Sequence, residues 1–180
     1  MFLTHERPLV FHEATEEQVL EFFTEEMREM LWVEQYLHSA FVKMRFEISC
    51  PVLQQAFERQ TMYIQQHLLD LKKIFLLLKL TGHSCKCETI EDLVNEYRSI
   101  VFHDKQPGKQ RDVCLVFIIQ QILHFKIAVY TSLVQFAAIL KNEEVLALLH
   151  KVIGEEKSID LLLTSIAEKT LFFEVLPDVD

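Results

Sequence analysis

Long runs of this chain place apolar residues at alternating steps of four and three, a rhythm that suits packed α-helices and little else. Phe23, Met27, Met30, Leu37, Phe41 and Met44 form a first stripe. Leu53, Phe57, Gln60, Ile64, His67, Leu71, Ile74 and Leu78 form a second. Val116, Ile119, Leu123, Lys126, Tyr130, Leu133, Ala137 and Leu140 make a third, and Val145, Leu149, Val152, Glu156, Ile159, Leu163, Ile166 and Thr170 a fourth. Each stripe holds an ionisable residue in an apolar slot: Glu34 (between Met30 and Leu37), His67, Lys126 and Glu156. Such a stripe faces a core, where an ion is costly unless paired, hydrogen-bonded or metal-bound. Two carboxylates, an imidazole and an ammonium turned inward therefore mark the candidate site.

The punctuation between stripes sets the architecture. Residues 1–15 contain Pro8 and no helical period, which predicts an extended arm. Thr15 ahead of Glu16, Glu17 and Gln18 reads as an N-cap with an acidic first turn. The first helix then runs to about Ile48, where Ser49-Cys50-Pro51 breaks it and Pro51 opens the second. That helix runs to about Leu80, with Thr81-Gly82 as its stop. A short helix from about Thr89 to Val101 and a polar loop with Pro107-Gly108 lead to a third long helix starting at Asp112. A tight turn at Lys141-Asn142 precedes the fourth. Two long hairpins joined by a crossover make an all-α four-helix bundle over 16–173, with a flexible tail at 174–180.

With 180 residues, half of them hydrophobic, and only three Gly and four Pro, one domain with few turns is expected. A net charge of −9 excludes a general nucleic-acid binder, which needs clustered Lys and Arg. No segment offers about 18 uninterrupted apolar residues, so no membrane span is expected. His5, Glu6 and Arg7 interrupt the start before a secretory signal could form. Cys50, Cys85, Cys87 and Cys114 make no CxxC pair, which suits reduced thiols in a cytoplasmic protein. Nucleophile triads, phosphate-binding glycine loops and zinc-finger spacings are absent.

Glu34, Lys126 and Glu156 each lie about fifteen residues from their own hairpin turn, or roughly 22 Å along a helix of 1.5 Å rise. In helices of roughly 45 Å that is the midpoint, whichever ends the two turns occupy. His67 falls within one turn of that level, with Tyr63 one turn nearer the hairpin and Asp160 one turn beyond Glu156. His124 and His150 fall off the stripes and read as surface or interface residues.

Several stretches resemble the YciF-like (YciE/YciF) branch of the ferritin-like proteins, bacterial proteins associated with stress. They are Met30-Leu31-Trp32-Val33-Glu34-Gln35, Val42-Lys43-Met44, Leu53 through Phe57-Glu58, Cys87-Glu88 and Arg111-Asp112-Val113. His124-Phe125-Lys126-Ile127-Ala128-Val129-Tyr130 and Glu155-Glu156-Lys157-Ser158-Ile159-Asp160 complete the set, so that the resemblance covers about 20–170. It implies a ferritin-like bundle, commonly a homodimer, built around a carboxylate-bridged pair of iron or manganese ions. Members of that family carry acids on the second helix near the positions of Met62 and Tyr63, and on the third at Leu123 and Lys126. Here those acids are missing, while Glu34, His67, His124, Glu156 and Asp160 remain as residual ligand candidates.

An ammonium where a bridging acid is expected repels metal cations, and Lys126 is expected to pair with Glu34 and Glu156 instead. The expectation is a non-catalytic bundle without cofactor, with a degenerate di-metal site and a structural or protein-interaction role. The alternative is an iron or manganese protein with ferroxidase or peroxide-consuming activity. A third reading makes Tyr63, Tyr130 and Lys126 the lining of a small-molecule pocket with a reactive lysine.

Overall fold

The computed structural model describes residues 15–81, 83–103 and 108–172. The expected arm before Thr15, Gly82, Pro107 and the tail at 174–180 lie outside the described residues. Among the described residues five α-helices follow in order: α1 (Glu16–Met44), α2 (Pro51–Leu77), α3 (Glu88–His103), α4 (Lys109–Ile139) and α5 (Glu143–Ile166).

Helix α1 opens with a full capping box. Thr15 Oγ1 accepts from the Gln18 amide at 3.3 Å, and the Gln18 side chain accepts from the Thr15 amide at 3.0 Å. Its last turn tightens to a 3-10 turn at Arg45–Glu47, so the regular helix stops at Met44 rather than near Ile48. Pro51 at the first position of α2 has no amide hydrogen to satisfy. The Asp112 carboxylate accepts from the Ser49 and Cys50 amides at 3.0 and 2.8 Å and from the Ser49 hydroxyl. Asp112 therefore sits inside the first turns of α4, which begins at Lys109, and holds the hairpin corner from outside.

The stop of α2 also differs from expectation. Lys79, not a glycine, takes the left-handed conformation (φ 54°), and the Leu80 amide reaches back to the Phe75 carbonyl at 2.9 Å. Lys141 (φ 55°) does the same after α4. Asn142 then caps α5 by accepting from the Val145 amide at 3.1 Å. Past Ile166 the chain widens into a π-helical turn, Ala167–Phe172, that packs back against α4 and α5.

Helix α1 packs on α2, α2 on α5, α5 on α4, and α4 on α1, giving a closed four-sided bundle. The Ser49–Asp112 contacts put the first hairpin turn beside the start of α4, while Phe22 meets Phe136 and Lys73 meets Glu144 at the other end. The two hairpin turns therefore lie at opposite ends, and every neighbouring pair of long helices is antiparallel. Between the hairpins, the Cys85 amide bonds the Arg28 carbonyl, and Tyr97 at the far end of α3 reaches Glu47. Helix α3 thus returns the chain along the outside, burying Ile90, Val94 and Tyr97 against α1 and α4.

The stripes fill the core. Phe23, Met27, Met30, Leu37, Ile64, Leu71, Leu123, Leu133 and Leu149 are fully buried. Burying a side chain of that size stabilises the fold by about 1.5–3 kcal/mol. Helix α4 is long and apolar enough, by length and composition, to cross a membrane. Thirteen of its residues are buried within the bundle, Lys126 among them, which suits the central helix of a packed core.

Candidate functional site

Four inward-facing ions meet at the middle of the bundle, one from each long helix: Glu34 on α1, His67 on α2, Lys126 on α4 and Glu156 on α5. All four have zero exposure. Lys126 Nζ donates to Glu34 Oε2 at 3.1 Å and to Glu156 Oε1 at 2.6 Å. His67 Nδ1 lies 3.4 Å from Glu34 Oε1 and 3.2 Å from Glu156 Oε1. It points at neither oxygen directly, so these contacts are ionic rather than directed hydrogen bonds. Following the helices around the bundle, the charges alternate: carboxylate on α1, imidazole on α2, carboxylate on α5, ammonium on α4.

Neutral side chains complete the shell. The Tyr130 hydroxyl donates to Glu34 Oε1 at 2.7 Å, and the Gln60 amide donates to both oxygens of Glu156 at 3.2 Å. Tyr63 stacks beside the His67 ring, with centroids 6.3 Å apart. On the outer side, His67 Nε2 meets Glu155 Oε2 at 2.9 Å, and Glu155 reaches solvent at 21% exposure.

The electrostatics hold Glu34, His67 and Lys126 in their charged forms. Burial alone would raise the Glu34 carboxyl, but the Lys126 ammonium, His67 and the Tyr130 hydroxyl outweigh it and hold the group down at about 2. Burial likewise opposes a charged His67, yet the carboxylates of Glu156 and Glu34 carry it up to about 9. For Lys126 the same two carboxylates overcome burial and move the ammonium above its ordinary value. Burial pushes the Tyr130 phenol well above its usual range, and Glu34 adds to the effect, so Tyr130 serves as a donor. At neutral pH the Lys126 and His67 cations therefore face the Glu34 carboxylate across the buried centre.

The remaining sequence candidates stand elsewhere. His124 is exposed and pairs with Asp160 at 3.1 Å on the outer face. Asp160 also accepts from Gln120 at 3.3 Å, and neither residue reaches the central group. Asp160 is a second consecutive step of four after Val152 and Glu156, a net turn of about 80° around the helix, enough to carry it off the core stripe. His150 is exposed, as expected of a residue off the stripe. The carbonyl-chemistry reading finds an ammonium held in its charged form, the opposite of a nucleophilic amine. Sequence reasoning missed Glu155: it lies off the stripe, and its only signal is adjacency to Glu156. It also left Tyr130 and Gln60 outside the network because periodicity shows facing, not where a polar tip ends.

Three donor atoms, one each from Glu34, His67 and Glu156, lie within 4.8 Å of one another, close enough for one cation. The Lys126 ammonium already bridges the two carboxylates from which such an ion would draw its charge. A dinuclear carboxylate centre, with a Glu from two helices and a Glu-x-x-His pair from two more, does not fit this side-chain set.

Fold and centre together define an antiparallel four-helix bundle with an external crossover helix and a charge-filled middle. The chain belongs to the family described as a domain of unknown function, DUF892, whose model matches residues 18–174. Over 82 residues it is 30% identical to Protein YciF of Escherichia coli (strain K12), a match taking in 46% of this chain and 49% of that protein. The match thus spans about half the length of that relative. The crystal structure of the Escherichia coli stress protein YciF superposes with a TM-score of 0.78 at 24% identity, over 83% of this chain and 94% of that one. YcfI from Rhodopseudomonas palustris superposes with a TM-score of 0.76 at 22% identity, over 92% and 99%. At these identities the two structures speak for the fold.

Proposed function

We propose that this protein is a non-catalytic, ferritin-like bundle in which an internal salt-bridge quartet has taken the place of a di-metal centre. The observation that carries the reading is Lys126 Nζ lying between Glu34 and Glu156 at 3.1 and 2.6 Å. A divalent ion there would have to displace an ammonium and a protonated imidazole, each already paired with the carboxylates. The protein's work then falls to its surface: a cytoplasmic, stress-related structural or protein-binding role, as a homodimer, in keeping with its likeness to the stress protein YciF.

Metal analysis of the purified protein tests this. The expected result is no stoichiometric iron, manganese or zinc, and one or two tightly held ions per chain would overturn it. The substitution Lys126→Glu supplies the test in reverse, since it removes the blocking charge and adds a donor between two existing ones. It is expected to raise manganese or iron uptake above the wild type, and no gain would refute the proposed geometry. The cluster of Glu34, His67 and Glu156 keeps a metal-dependent oxidoreductase as the second reading, to be preferred if the wild type loads metal as tightly as the variant.

A further inference from the structure

We infer that the cleft between the end of α1 and α3 binds a small oxyanion, with phosphate as the chemistry it fits. The cavity there holds about 170 Å³, shares no lining residue with the central quartet and is independent of how that quartet is read. Ala40, Met44 and Val101 form its apolar wall, and Lys43, Arg98 and Glu47 its polar one.

The charges in this cleft do not cancel. Glu47 is already taken, because its Oε2 accepts from Arg111 Nη2 at 3.0 Å and from the Tyr97 hydroxyl at 3.2 Å. Among the described residues Arg98 is held only by neutral groups: its Nη1 donates to the Tyr36 hydroxyl and to Asn95 Oδ1, each at 3.1 Å. Its guanidinium carbon lies 5.8 Å over the Tyr36 ring. Lys43 has no partner among the described residues. Two exposed cations with no acidic partner among the described residues therefore line one small cavity in a chain of net charge −9.

A tetrahedral oxyanion matches this arrangement. The planar fork of an arginine takes two oxygens, and a lysine acts as a point charge on a third. Tyr36 and Asn95 fix the Arg98 fork in advance, which lowers the ordering cost of binding. The apolar wall leaves room for a short ester arm on the phosphate. A free phosphate and a lipid headgroup share this chemistry.

Calorimetric titration of the whole chain with inorganic phosphate tests the site. Saturable binding is expected, weakened about tenfold or more by either Lys43→Gln or Arg98→Gln, the loss of one charge-assisted contact. Lys72→Gln, an exposed substitution on α2, is expected to leave it unchanged. Flotation with phosphatidylglycerol vesicles separates the sources. Capture that free phosphate competes away, and that both cleft variants abolish, assigns the site to a headgroup, whereas phosphate binding without capture assigns it to a soluble phosphate. No heat with phosphate, or equal affinity in wild type and both cleft variants, would overturn the inference.

Discussion

Replacing Lys126 with methionine keeps most of the side-chain volume and removes the charge, leaving Glu34 and Glu156 with His67 as their sole buried cation. At an effective dielectric near 20, separations of 3.1 and 2.6 Å correspond to gross attractions of roughly 5 and 6 kcal/mol. Desolvating each ion costs several kcal/mol, so the intact network is close to neutral in net stability. Removing one partner is different, because the surviving charges stay buried, and the expected loss at pH 7 is about 3–5 kcal/mol. Against a total of about 5–15 kcal/mol for an ordinary domain, that is a large fraction. The double variant Lys126→Met, Glu34→Gln leaves one buried carboxylate facing one imidazolium and is expected to recover most of the loss. Denaturant unfolding by circular dichroism, with an unchanged m-value, measures both. A Lys126→Met cost below about 1 kcal/mol, the size of an exposed pair, would refute the claim that this ion is locked in the core.

Two further predictions concern pH and chain reversal. His67 is raised from 6.5 to about 9, so its contribution is complete below about 6.5 and is lost as pH climbs through 9, by roughly 3 kcal/mol. Glu34 is lowered from 4.5 to about 2, so its contribution is complete above 4.5 and is lost as pH falls through 2. Unfolding midpoints at pH 6 and pH 9 should therefore differ in the wild type but much less in His67→Gln; equal slopes in the two proteins would count against a charged His67. Lys79→Gly and Lys141→Gly should each stabilise by about 1 kcal/mol, because both lysines occupy left-handed backbone that glycine adopts without a Cβ penalty. Thermal melts that show no increase for either would argue against that conformation.

The periodicity of α1, α2, α4 and α5 made the bundle legible, because an ion in an apolar slot can be read directly against a repeat of 3.6 residues. Equal spacing from the hairpin turns gave the shared level, since helical rise is constant. What stayed hidden depends on distances across the sequence. Nothing local in Asp112 announces that it holds the Ser49–Cys50 corner more than sixty residues away. His124 and Asp160 looked like ligands through a resemblance, and a rotation of a few tens of degrees per step was enough to pair them on the outside. The turn at Lys141-Asn142 was legible, but not that Lys141, like Lys79 after α2, would take the left-handed backbone that lysine rarely adopts.

The alternation of sign around the bundle has a consequence for topology. In the observed ring of α1, α2, α5 and α4, each carboxylate has a cation on both neighbouring helices. Exchange α4 with α5, and His67 would adjoin Lys126 while Glu34 adjoined Glu156, two like-charged contacts in an apolar interior. Slide any one helix by a turn, about 5.4 Å, and its ion would leave all its partners while still buried. Apolar stripes alone would tolerate either error, since one leucine or isoleucine packs about as well as the next. A quartet that adds little net stability can therefore still select one register and one helix order, through the cost of every wrong arrangement rather than the gain of the right one. That selection predicts that the fully apolar centre (Glu34→Met, His67→Leu, Lys126→Met, Glu156→Met) keeps or raises the melting temperature while losing uniqueness. Broadened, multiple amide resonances in its NMR spectrum would be the sign, and a single sharp set at unchanged helicity would refute it.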